Sequence, residues 1–471
     1  MKPFLINSTL MDHQSRAVEK FTIQVEHETK FIRVGGLFME MGTGKTLTTM
    51  EIVRQRADRI SKVVWVCPVS TKETIRKEIL KHTTATDIYV FDDKTDDSNM
   101  PDVSWYIVGL ESISQSDRAT LAFNALVNSD TFVIVDESSF IANHKSKRAE
   151  RLAFITKECK YRFILTGTPL TNGIVSLYSQ MKFLSPKILD YQSFYSFANN
   201  HLVYSEKFPG MITNTLHEEY LAAKIAPYIY QVTKDECLDL PKKVYDTRYF
   251  KMSEEQREAY ESAKIEFLEM VDHTEFSTID IFKLFQALQQ IVSGYRNIDM
   301  NEPVYFEDSY RVDALEDVLY SIPKGKKVII WAKYHYDIEL IRKAIGDKAV
   351  YYTGLLNEKK KDVVLNEWRT DKKYLVITQS SGGFGLTLVE AHYSIFYNNS
   401  FSYSKRVQAE DRNHRIGQDE KVTYIDICCS DSIDERILSA IWDKKSVAED
   451  FRAEIEKVKN EKSLEIFVNG L

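Results

Sequence analysis

Short, continuous apolar runs recur along the chain, and segments with helical spacing separate them. Two series with a long gap between them can be recognised: 63–66, 106–108, 132–135 and 163–165, then 328–331, 374–377, 393–396 and 422–425. Strands with one solvent-exposed face alternate polar and apolar residues, whereas continuous runs are typical of strands that helices cover on both faces. The pattern therefore predicts two α/β domains, each with a parallel sheet. In such sheets ligands bind at the carboxyl ends of the strands, so we expect the functional residues there.

The gap between the two series has a different pattern. Ser253–Gln256 has the sequence of a capping box that opens a helix through about Val271, and Ile281–Val292 carries apolar residues at one-face helical spacing. We interpret this region as helical insertions and the crossing between the domains. A chain of 471 residues is too long for a single core. The predicted division is a first domain at 1–185, the insertions and crossing at 186–310, a second domain at 311–451 and a C-terminal tail at 452–471.

Composition and charge argue against several classes of protein. The apolar runs are strand-sized, which argues against a membrane span, and Met1–His13 lacks the pattern of a secretory signal. The five cysteines show no C-x-x-C spacing, which argues against a disulfide framework and a zinc site and favours a reducing cytoplasm. The formal net charge of -7 argues only weakly against nucleic-acid binding, because an enzyme cleft needs only local basic surface.

A glycine-rich turn, Met41–Thr46, joins an apolar run to a helical run. A strand that turns through glycines into a helix presents unpaired N–H groups and the positive end of the helix dipole, which together bind phosphate. Lys45 would contact the β and γ phosphates of ATP, and the Thr46 hydroxyl would hold Mg²⁺. Met39 stands where the full pattern has glycine, and the alternative is a glycine turn with a solvated lysine. The residues of this turn predicted to bind the nucleotide are Gly42, Thr43, Gly44, Lys45 and Thr46.

Two carboxylates end the apolar run at 132–135. Asp136 at a strand end can hold Mg²⁺ beside Thr46, and Glu137 can orient and deprotonate the water that attacks the γ phosphate. Such a pair in isolation is more often a helix N-terminal charge pair, but a preceding phosphate loop in the same α/β domain favours the catalytic interpretation. The segment Leu165–Asn172 follows the next run, and its small hydroxyl residues could hydrogen-bond the carboxylate pair; a plain strand-to-helix turn is the alternative.

Two arginines stand close together within Gln408–Gln418. On a helix, Arg412 and Arg415 would share a face and point together. Arginine suits the charge of a phosphoryl transition state because it is always ionised and presents a planar fork of donors, and such residues contribute on the order of 10³ to 10⁵ in rate. Both arginines lie in the second predicted domain, far along the chain from Lys45. We therefore predict an ATP site that is complete only when the domains close, so that hydrolysis drives a domain movement.

The ordered set of motifs resembles that of the Swi/Snf-type superfamily-two helicases, which are DNA-dependent ATPases, and Gln408–Gln418 is similar to the form in the annealing-helicase branch. The resemblance extends over nearly the whole chain and implies two RecA-like domains. It implies that Gln14 reads the adenine, with a polar residue at a helix start as the alternative, and that Gly383 and Gln408 also bind the nucleotide. The DNA contacts that it implies are Ser70, Thr71 and Gly109 in the first domain and Thr353, Gly354, Ser380 and Ser381 in the second.

Two further segments resemble family features, and several positions depart from the family pattern. Thr233–Lys242 resembles the segment that marks the family between its two domains, and Ile433–Leu438 resembles the family's closing brace helix. Ser139 stands where the family usually carries His or an equivalent polar ring, Gln231–Val232 replaces paired arginines, and Phe401–Tyr403 replaces a Trp-Asn-Pro stretch. The predicted catalytic residues are not among these departures, so we expect the chemistry to be retained. The usual coupling between the side chain at position 139 and the γ phosphate stays open.

The sequence therefore predicts an ATP-hydrolysing motor that moves along duplex, forked or single-stranded DNA, with ATP and Mg²⁺ as its cofactors. Because members of the family bind DNA mainly through its phosphates, we expect weak sequence preference and strongly salt-dependent binding. A compact engine of this kind favours a bacterial or phage-encoded protein that acts in the cytoplasm with replication, recombination or repair proteins. Two alternatives stay open: an RNA-directed helicase, and a nucleotide-gated adaptor that binds DNA or protein without translocating.

Overall fold

The computed structural model describes residues 1–25, 28–167, 169–204, 212–270, 278–297, 303–382, 386–443 and 461–471. Two compact units are present, a first unit at Met1–Asp239 and a second unit at Leu240–Leu471. The region predicted as insertions and crossing, 186–310, is shared between them: its residues up to Asp239 belong to the first unit and the others to the second.

In the described part of the first unit, strands and helices alternate along most of the chain. The strands are β1 (Thr22–Val25), β2 (Glu28–Phe31), β3 (Val34–Met39), β4 (Lys62–Cys67), β5 (Ile88–Val90), β6 (Trp105–Gly109), β7 (Thr131–Asp136), β8 (Tyr161–Thr166), β9 (Thr171–Ile174), β10 (Leu202–Tyr204), β11 (Ile212–Thr215) and β12 (Ile229–Val232). The helices are α1 (Asp12–Lys20), α2 (Lys45–Arg54), α3 (Lys72–His82), α4 (Leu110–Gln115), α5 (Asp117–Leu126), α6 (Lys147–Ile155), α7 (Val175–Leu184), α8 (Pro186–Leu189), α9 (Phe194–His201), α10 (Glu218–Ile225) and α11 (Lys234–Cys237).

The main sheet of the first unit has the strand order β12-β3-β8-β7-β4-β6-β5, and every neighbouring pair is parallel. All of its strands therefore end at the same edge. Strands β3 and β7 lie on either side of β8. The loops that follow these three strands are neighbours, and they carry the glycine-rich turn and the carboxylate pair.

The second unit has the same alternation over its described residues. Its strands are β13 (Lys243–Phe250), β14 (Tyr295–Arg296), β15 (Val304–Tyr305), β16 (Lys327–Ala332), β17 (Ala349–Tyr352), β18 (Tyr374–Thr378), β19 (Ala391–Phe396) and β20 (Val422–Cys429). Its helices are α12 (Glu254–Met270), α13 (Thr278–Ser293), α14 (Tyr310–Ser321), α15 (His335–Ile345), α16 (Glu358–Thr370), α17 (Gln379–Gly382), α18 (Tyr403–Glu410), α19 (Ile433–Trp442) and α20 (Glu461–Asn469). The main sheet, again wholly parallel, has the order β13-β20-β19-β16-β18-β17.

Both sheets bury side chains on both faces, because successive residues of a strand point to opposite sides. In β4, Val64 packs into one core of the first unit and Trp65 into the core on the other face. In β16, Ile330 and Trp331 divide in the same way between two cores of the second unit. The predicted architecture, two α/β domains with parallel main sheets and helical insertions, is confirmed.

The helices predicted in the gap are present in the second unit. Ser253 and Gln256 cap α12 reciprocally: the N–H of Ser253 donates to Gln256 Oε1 and the N–H of Gln256 donates to Ser253 Oγ, each over 3.2 Å. The predicted helix end near Val271 lies outside the described residues. The apolar face of α13 is buried in the core, as predicted, through Ile281, Leu284, Phe285, Leu288, Ile291 and Val292. No helix in the described ranges is long and apolar enough to cross a membrane.

Candidate active site

The glycine-rich turn connects β3 to α2 at the carboxyl edge of the first sheet. Gly42 and Gly44 have φ of 84° and 87°, in the left-handed region that other residues seldom adopt. Thr43 is fully buried between them, and its Oγ1 donates to the Glu40 carbonyl over 2.7 Å. Helix α2 begins at Lys45, directly after the turn. The first N–H groups of α2 therefore point to the sheet edge, the arrangement that binds phosphate at helix N-termini.

Lys45 folds back onto the turn. Its Nζ donates to the carbonyl oxygens of Met39 over 2.9 Å and Glu40 over 3.4 Å. Neutral carbonyls are weaker partners for an ammonium group than charged oxygens. The side chain can therefore exchange these carbonyls for phosphate oxygens at little cost. Thr46 is the next residue of α2 and is half-buried, so the predicted phosphate and magnesium ligands are adjacent at the helix start.

Gln14 supports the turn from α1. Its Nε2 donates to the Thr43 carbonyl over 3.0 Å, and its Oε1 accepts from the N–H of Met11 over 2.9 Å. His13 Nε2 also donates to the Thr43 carbonyl, over 2.8 Å, and both side chains are buried. Through these contacts Gln14 helps to fix the conformation of the glycine-rich turn. Its predicted contact with the adenine stays a prediction.

The carboxylate pair closes β7. Asp136 Oδ2 accepts from Trp65 Nε1 over 3.4 Å, and its Oδ1 accepts from the N–H of Glu137 over 2.9 Å. Burial raises the pKa of Asp136 above its ordinary value, and the positive charge of Lys45 opposes that rise. Lys45 is thus close enough to act on this carboxyl, so the structure brings the two motifs together. Glu137 is buried with φ of 50°, a strained conformation of the kind that concentrates at functional sites.

A buried amide links the carboxylate segment to the loop after β8. Ser138 Oγ donates to Gln180 Oε1 over 2.6 Å, and Gln180 Nε2 donates to the Pro169 carbonyl over 2.9 Å. Ser138 and Gln180 are fully buried. The same loop approaches the glycine-rich turn, since a Cβ on Gly167 would lie 3.2 Å from a backbone nitrogen of that turn. Gln180 therefore links the carboxylate segment to the loop after β8, while Thr168 lies outside the described residues.

Several side chains of this site were not predicted. His13 and Glu40 adjoin predicted residues in the sequence, and that adjacency was the available signal for them. Trp65 lies inside an apolar run, where a tryptophan is usually a core residue, and its N–H contact with Asp136 has no signature in the sequence. Gln180 was detectable only as a polar residue inside the apolar stretch of α7.

The predicted nucleic-acid contacts of the first unit lie at the ends of neighbouring strands β4 and β6. Ser70 and Thr71 form part of a short 3-10 helix, and Thr71 Oγ1 donates to the Pro68 carbonyl over 2.9 Å. A Cβ on Gly109 would lie 2.6 Å from Val69 Cγ2, so glycine allows the two loops to approach closely. Ser70 is exposed whereas Thr71 is buried, which leaves Ser70 as the more accessible hydroxyl for a phosphate.

In the second unit, the corresponding residues lie at the ends of neighbouring strands β17 and β18. Thr353 and Gly354 follow β17, while Ser380 and Ser381 belong to α17, after β18. Thr378 Oγ1 donates to Ser381 Oγ over 2.6 Å. A Cβ on Gly354 would lie 3.3 Å from the same Ser381 oxygen. The structure thus brings these four predicted residues into one group.

Arg412 and Arg415 converge, although not on a helix. Helix α18 ends at Glu410, and both arginines lie in the turns that follow. The prediction of a shared helical face is therefore wrong. Arg412 Nη1 and Arg415 Nη1 each donate to the Leu386 carbonyl over 3.3 Å, and Arg412 Nε donates to the Gln408 carbonyl over 3.0 Å. The two guanidinium groups thus meet at one carbonyl oxygen.

Side-chain contacts with the sheet explain why the helix stops. The Tyr424 hydroxyl donates to the carbonyl of Glu410 over 3.0 Å, and Asn413 Nδ2 donates to the Ala391 carbonyl over 3.2 Å. These bonds hold the segment in turns against the second sheet. Gln408 is buried within α18, and Gly383 lies outside the described residues. Their predicted nucleotide contacts stay predictions.

The donors at the edge of the first sheet fit a magnesium ion. Asp136 offers a carboxylate and Thr46 a hydroxyl, and hard oxygen donors of this kind are what Mg²⁺ prefers. A bound cation would oppose the raised pKa of Asp136 further than Lys45 does. Among the described residues, no group of three or more His, Cys, Asp or Glu is placed to hold a metal. The ion would therefore take most of its ligands from nucleotide phosphates and water.

Comparison with known families decides the class of this protein. Residues 13–296 match the SNF2-related domain, and residues 310–417 match the helicase conserved C-terminal domain. The chain belongs to the SNF2-related family. The predicted Swi/Snf-type resemblance is thereby confirmed, and both matched domains agree with the predicted enzyme class of the SNF2-related chain, a nucleic-acid-dependent ATPase of the helicase type.

Two relatives of this SNF2-related chain have low sequence identity to it. An uncharacterized ATP-dependent helicase of Mycoplasma genitalium is 26% identical over 319 residues, which cover 65% of this chain and 29% of the relative. A probable global transactivator of Orgyia pseudotsugata multicapsid polyhedrosis virus is 24% identical over 474 residues, covering 94% of this chain and 91% of the relative. The chain thus spans less than a third of the mycoplasma relative but most of the viral one.

One similar solved structure is the SWI2/SNF2 ATPase core of Sulfolobus solfataricus in complex with dsDNA. Its TM-score to this SNF2-related chain is 0.45 at 21% sequence identity. The similarity covers 96% of this chain and 94% of that core.

Proposed function

We propose that this chain is an ATP-hydrolysing motor that moves along DNA, as a translocase or helicase. Family membership supports the ATPase part of this proposal. The DNA part is supported by the placement of small and hydroxyl residues at strand ends in both units. Such residues, together with backbone N–H groups, contact nucleic-acid phosphates without reading the base sequence.

The first unit would hold the nucleotide. The N–H groups of the glycine-rich turn would bind phosphate oxygens, and Lys45 would exchange its two carbonyl partners for the β and γ phosphates. Mg²⁺ held by Asp136 and Thr46 would neutralise phosphate charge. Glu137 would orient the attacking water and accept its proton, aimed by the strained backbone at that residue.

The second unit would supply the positive charge that the transition state needs. Arg412 and Arg415 meet at the Leu386 carbonyl, a neutral acceptor that a phosphoryl group can replace. In this proposal hydrolysis requires both units, so whatever both units hold can control the rate. DNA lying on both would then stimulate ATP turnover.

The observation that carries the ATPase assignment is that Lys45 and Asp136 lie at one edge of the first sheet: Lys45 begins the helix after β3, Asp136 ends β7, and both strands flank β8. The two residues belong to motifs far apart in the sequence. The positive charge of Lys45 accordingly opposes the raised pKa of the buried Asp136 carboxyl. The nucleotide-gated adaptor is less favoured, because it has no need for Glu137 or for a converging arginine pair.

The test is the ATPase rate with single-stranded, duplex and forked DNA and with RNA of matched sequence. We expect DNA to stimulate turnover more than RNA, and Lys45→Ala and Arg415→Ala to abolish the stimulated rate. Wild-type turnover in Lys45→Ala would overturn the site assignment, and stronger stimulation by RNA would favour the RNA-directed helicase. Displacement of a triplex-forming strand would indicate translocation, and displacement of one strand of a forked duplex would indicate strand separation. Repeating both assays at several salt concentrations tests whether binding depends mainly on phosphate contacts.

We also propose a role in replication, recombination or repair in a bacterial or phage-infected cell. The viral relative's description as a probable global transactivator makes gene expression the competing role. Preference for forked over plain duplex DNA would favour replication or repair. Equal stimulation by both, with displacement of proteins from the duplex, would favour the competing role.

A further inference from the structure

Residues 233–243, called the connector below, run from the last strand of the first sheet to the first strand of the second. Strand β12 ends at Val232 and β13 begins at Lys243. The boundary between the units, after Asp239, falls inside the connector. Each end of the connector is hydrogen-bonded to a catalytic segment of its own unit.

At its first end, the connector is bonded to Glu40, the residue before the glycine-rich turn. The N–H of Lys234 donates to Glu40 Oε2 over 2.9 Å, and the N–H of Glu40 donates to the Val232 carbonyl over 3.1 Å. The carbonyl of Glu40 also accepts from Thr43 Oγ1 and Lys45 Nζ. Glu40 therefore links the connector to the glycine-rich turn, called the phosphate turn below.

At its second end, the connector is bonded to the segment that carries the arginine pair. His414 Nε2 donates to the Pro241 carbonyl over 2.8 Å, and Lys243 Nζ forms an ion pair with Glu410 Oε2 over 2.9 Å. Glu410 is the last residue of α18, and His414 lies between Arg412 and Arg415. A displacement of Pro241 or Lys243 therefore acts directly on the turns that position both guanidinium groups.

The second attachment is a buried, charge-assisted one. Glu410 is buried and accepts from Lys243, Tyr245 and Arg406. Burial alone would raise the pKa of Glu410, but Lys243 and Arg406 outweigh it and hold the pKa below its ordinary value. Removing one partner of such a group is strongly destabilising, so the attachment resists pulling.

The connector also has little slack. From Lys234 to Pro241 even a fully extended chain spans only roughly 25 Å, at about 3.3–3.6 Å per residue. Part of this length is taken up by the single turn of α11, which Thr233 and Glu236 cap reciprocally. A short, bonded segment transmits displacement, whereas a long flexible one absorbs it.

We propose that the connector mechanically couples the phosphate turn to the arginine pair, with Glu40, Glu410 and His414 as positioning residues. This inference rests on the proposed ATPase function of the same site. When Lys45 leaves the Glu40 carbonyl for a phosphate, Glu40 shifts and moves the connector. The connector then resets the turn that holds Arg412 and Arg415, so nucleotide state and arginine position change together.

The direct test lengthens the connector without removing any contact. Four glycines inserted between Asp239 and Leu240 leave both attachments intact and add slack. We expect the DNA-stimulated kcat to fall about tenfold while the KM for ATP changes by less than about twofold, the signature of an interaction used in the transition state. The control is the same insertion after Gly325, in a turn where an added Cβ would meet nothing within 4 Å. Equal kcat values for the two insertions would overturn the proposed coupling through the connector.

Point variants test each attachment. Lys243→Met should lower the stimulated kcat, whereas Lys242→Met, at the exposed neighbouring lysine, should not. Glu40→Ala should lower it as well, and Glu40→Gln, which keeps an acceptor for the Lys234 N–H, should restore most of the rate. If Glu40 has only a structural role, the melting temperature should fall together with the rate, and Glu40→Gln should not restore the rate. Absence of DNA stimulation in the wild-type protein would overturn the proposed function and this inference together, whereas normal stimulation in every variant would overturn the connector alone.

Discussion

At Gly44 a side chain would do damage of two kinds. Its φ of 87° costs other residues on the order of 1–3 kcal/mol, and an added Cβ would collide with the Gln14 amide that supports Thr43. We predict that Gly44→Ala raises the KM for ATP about tenfold or more. The matched control is Gly325→Ala, because Gly325 has φ of 86° with open space around it. Steady-state kinetics would contradict the prediction if both variants changed KM equally.

Asp136 is a residue at which function opposes stability. Its raised pKa means that the folded protein binds this proton more tightly than the unfolded chain does, so stability falls as pH rises from the ordinary aspartate pKa to the raised one. We predict that Asp136→Asn abolishes Mg²⁺-dependent ATP hydrolysis. The same substitution should raise the melting temperature at neutral pH, by about 2–4 °C for each kcal/mol added to the free energy of unfolding. The gain should vanish at a pH below the ordinary aspartate pKa. A melting temperature that falls at neutral pH would contradict this account.

At the scale of elements, Gln180 joins α7 to the ends of β7 and β8. Gln180→Leu would leave the buried Ser138 hydroxyl and Pro169 carbonyl without this partner, at a cost of about 1–3 kcal/mol. We predict that adding Ser138→Ala to Gln180→Leu recovers part of the loss, because removing both partners is less costly than removing one. Thermal unfolding of the single and double variants measures this. The control is Ser139→Ala, which should change little; a double variant less stable than Gln180→Leu would refute the link.

The turn after α18 shows what sequence periodicity could not predict. Three-residue spacing of arginines is compatible with a helix, but the chain leaves the helix at Glu410 because Tyr424 and Asn413 bond the segment to the sheet. Those partners are distant in sequence or act through side chains, so local pattern does not reveal them. The convergence of the two guanidinium groups was nevertheless predicted, and tertiary contacts achieve it by another route.

For the whole molecule, the parts that follow from local rules were predictable. Continuous apolar runs predicted both parallel sheets, and strand-to-helix glycines and strand-end carboxylates predicted where Lys45 and Asp136 lie. The contacts of Glu40 with Lys234 and of His414 with Pro241 were not predictable, because each joins segments far apart in the sequence through single hydrogen bonds. Such bonds leave no periodic signal, yet in the proposed mechanism they connect the two halves of the chemistry.

The first unit contains a complete parallel sheet with its own cores on both faces, and it carries the predicted phosphate turn and carboxylates. We predict that residues 1–239 expressed alone bind ATP but hydrolyse it about 10³-fold more slowly than the DNA-stimulated full chain, because the arginine pair is absent. Full-length protein carrying Arg412→Ala and Arg415→Ala should reach the same low rate, which would assign the deficit to the arginines and not to the missing unit. Nucleotide binding, measured by calorimetry, should survive in both proteins and be lost when Lys45→Ala is added to either. A first unit that hydrolyses ATP at the full stimulated rate would show that the second unit contributes no charge to the transition state.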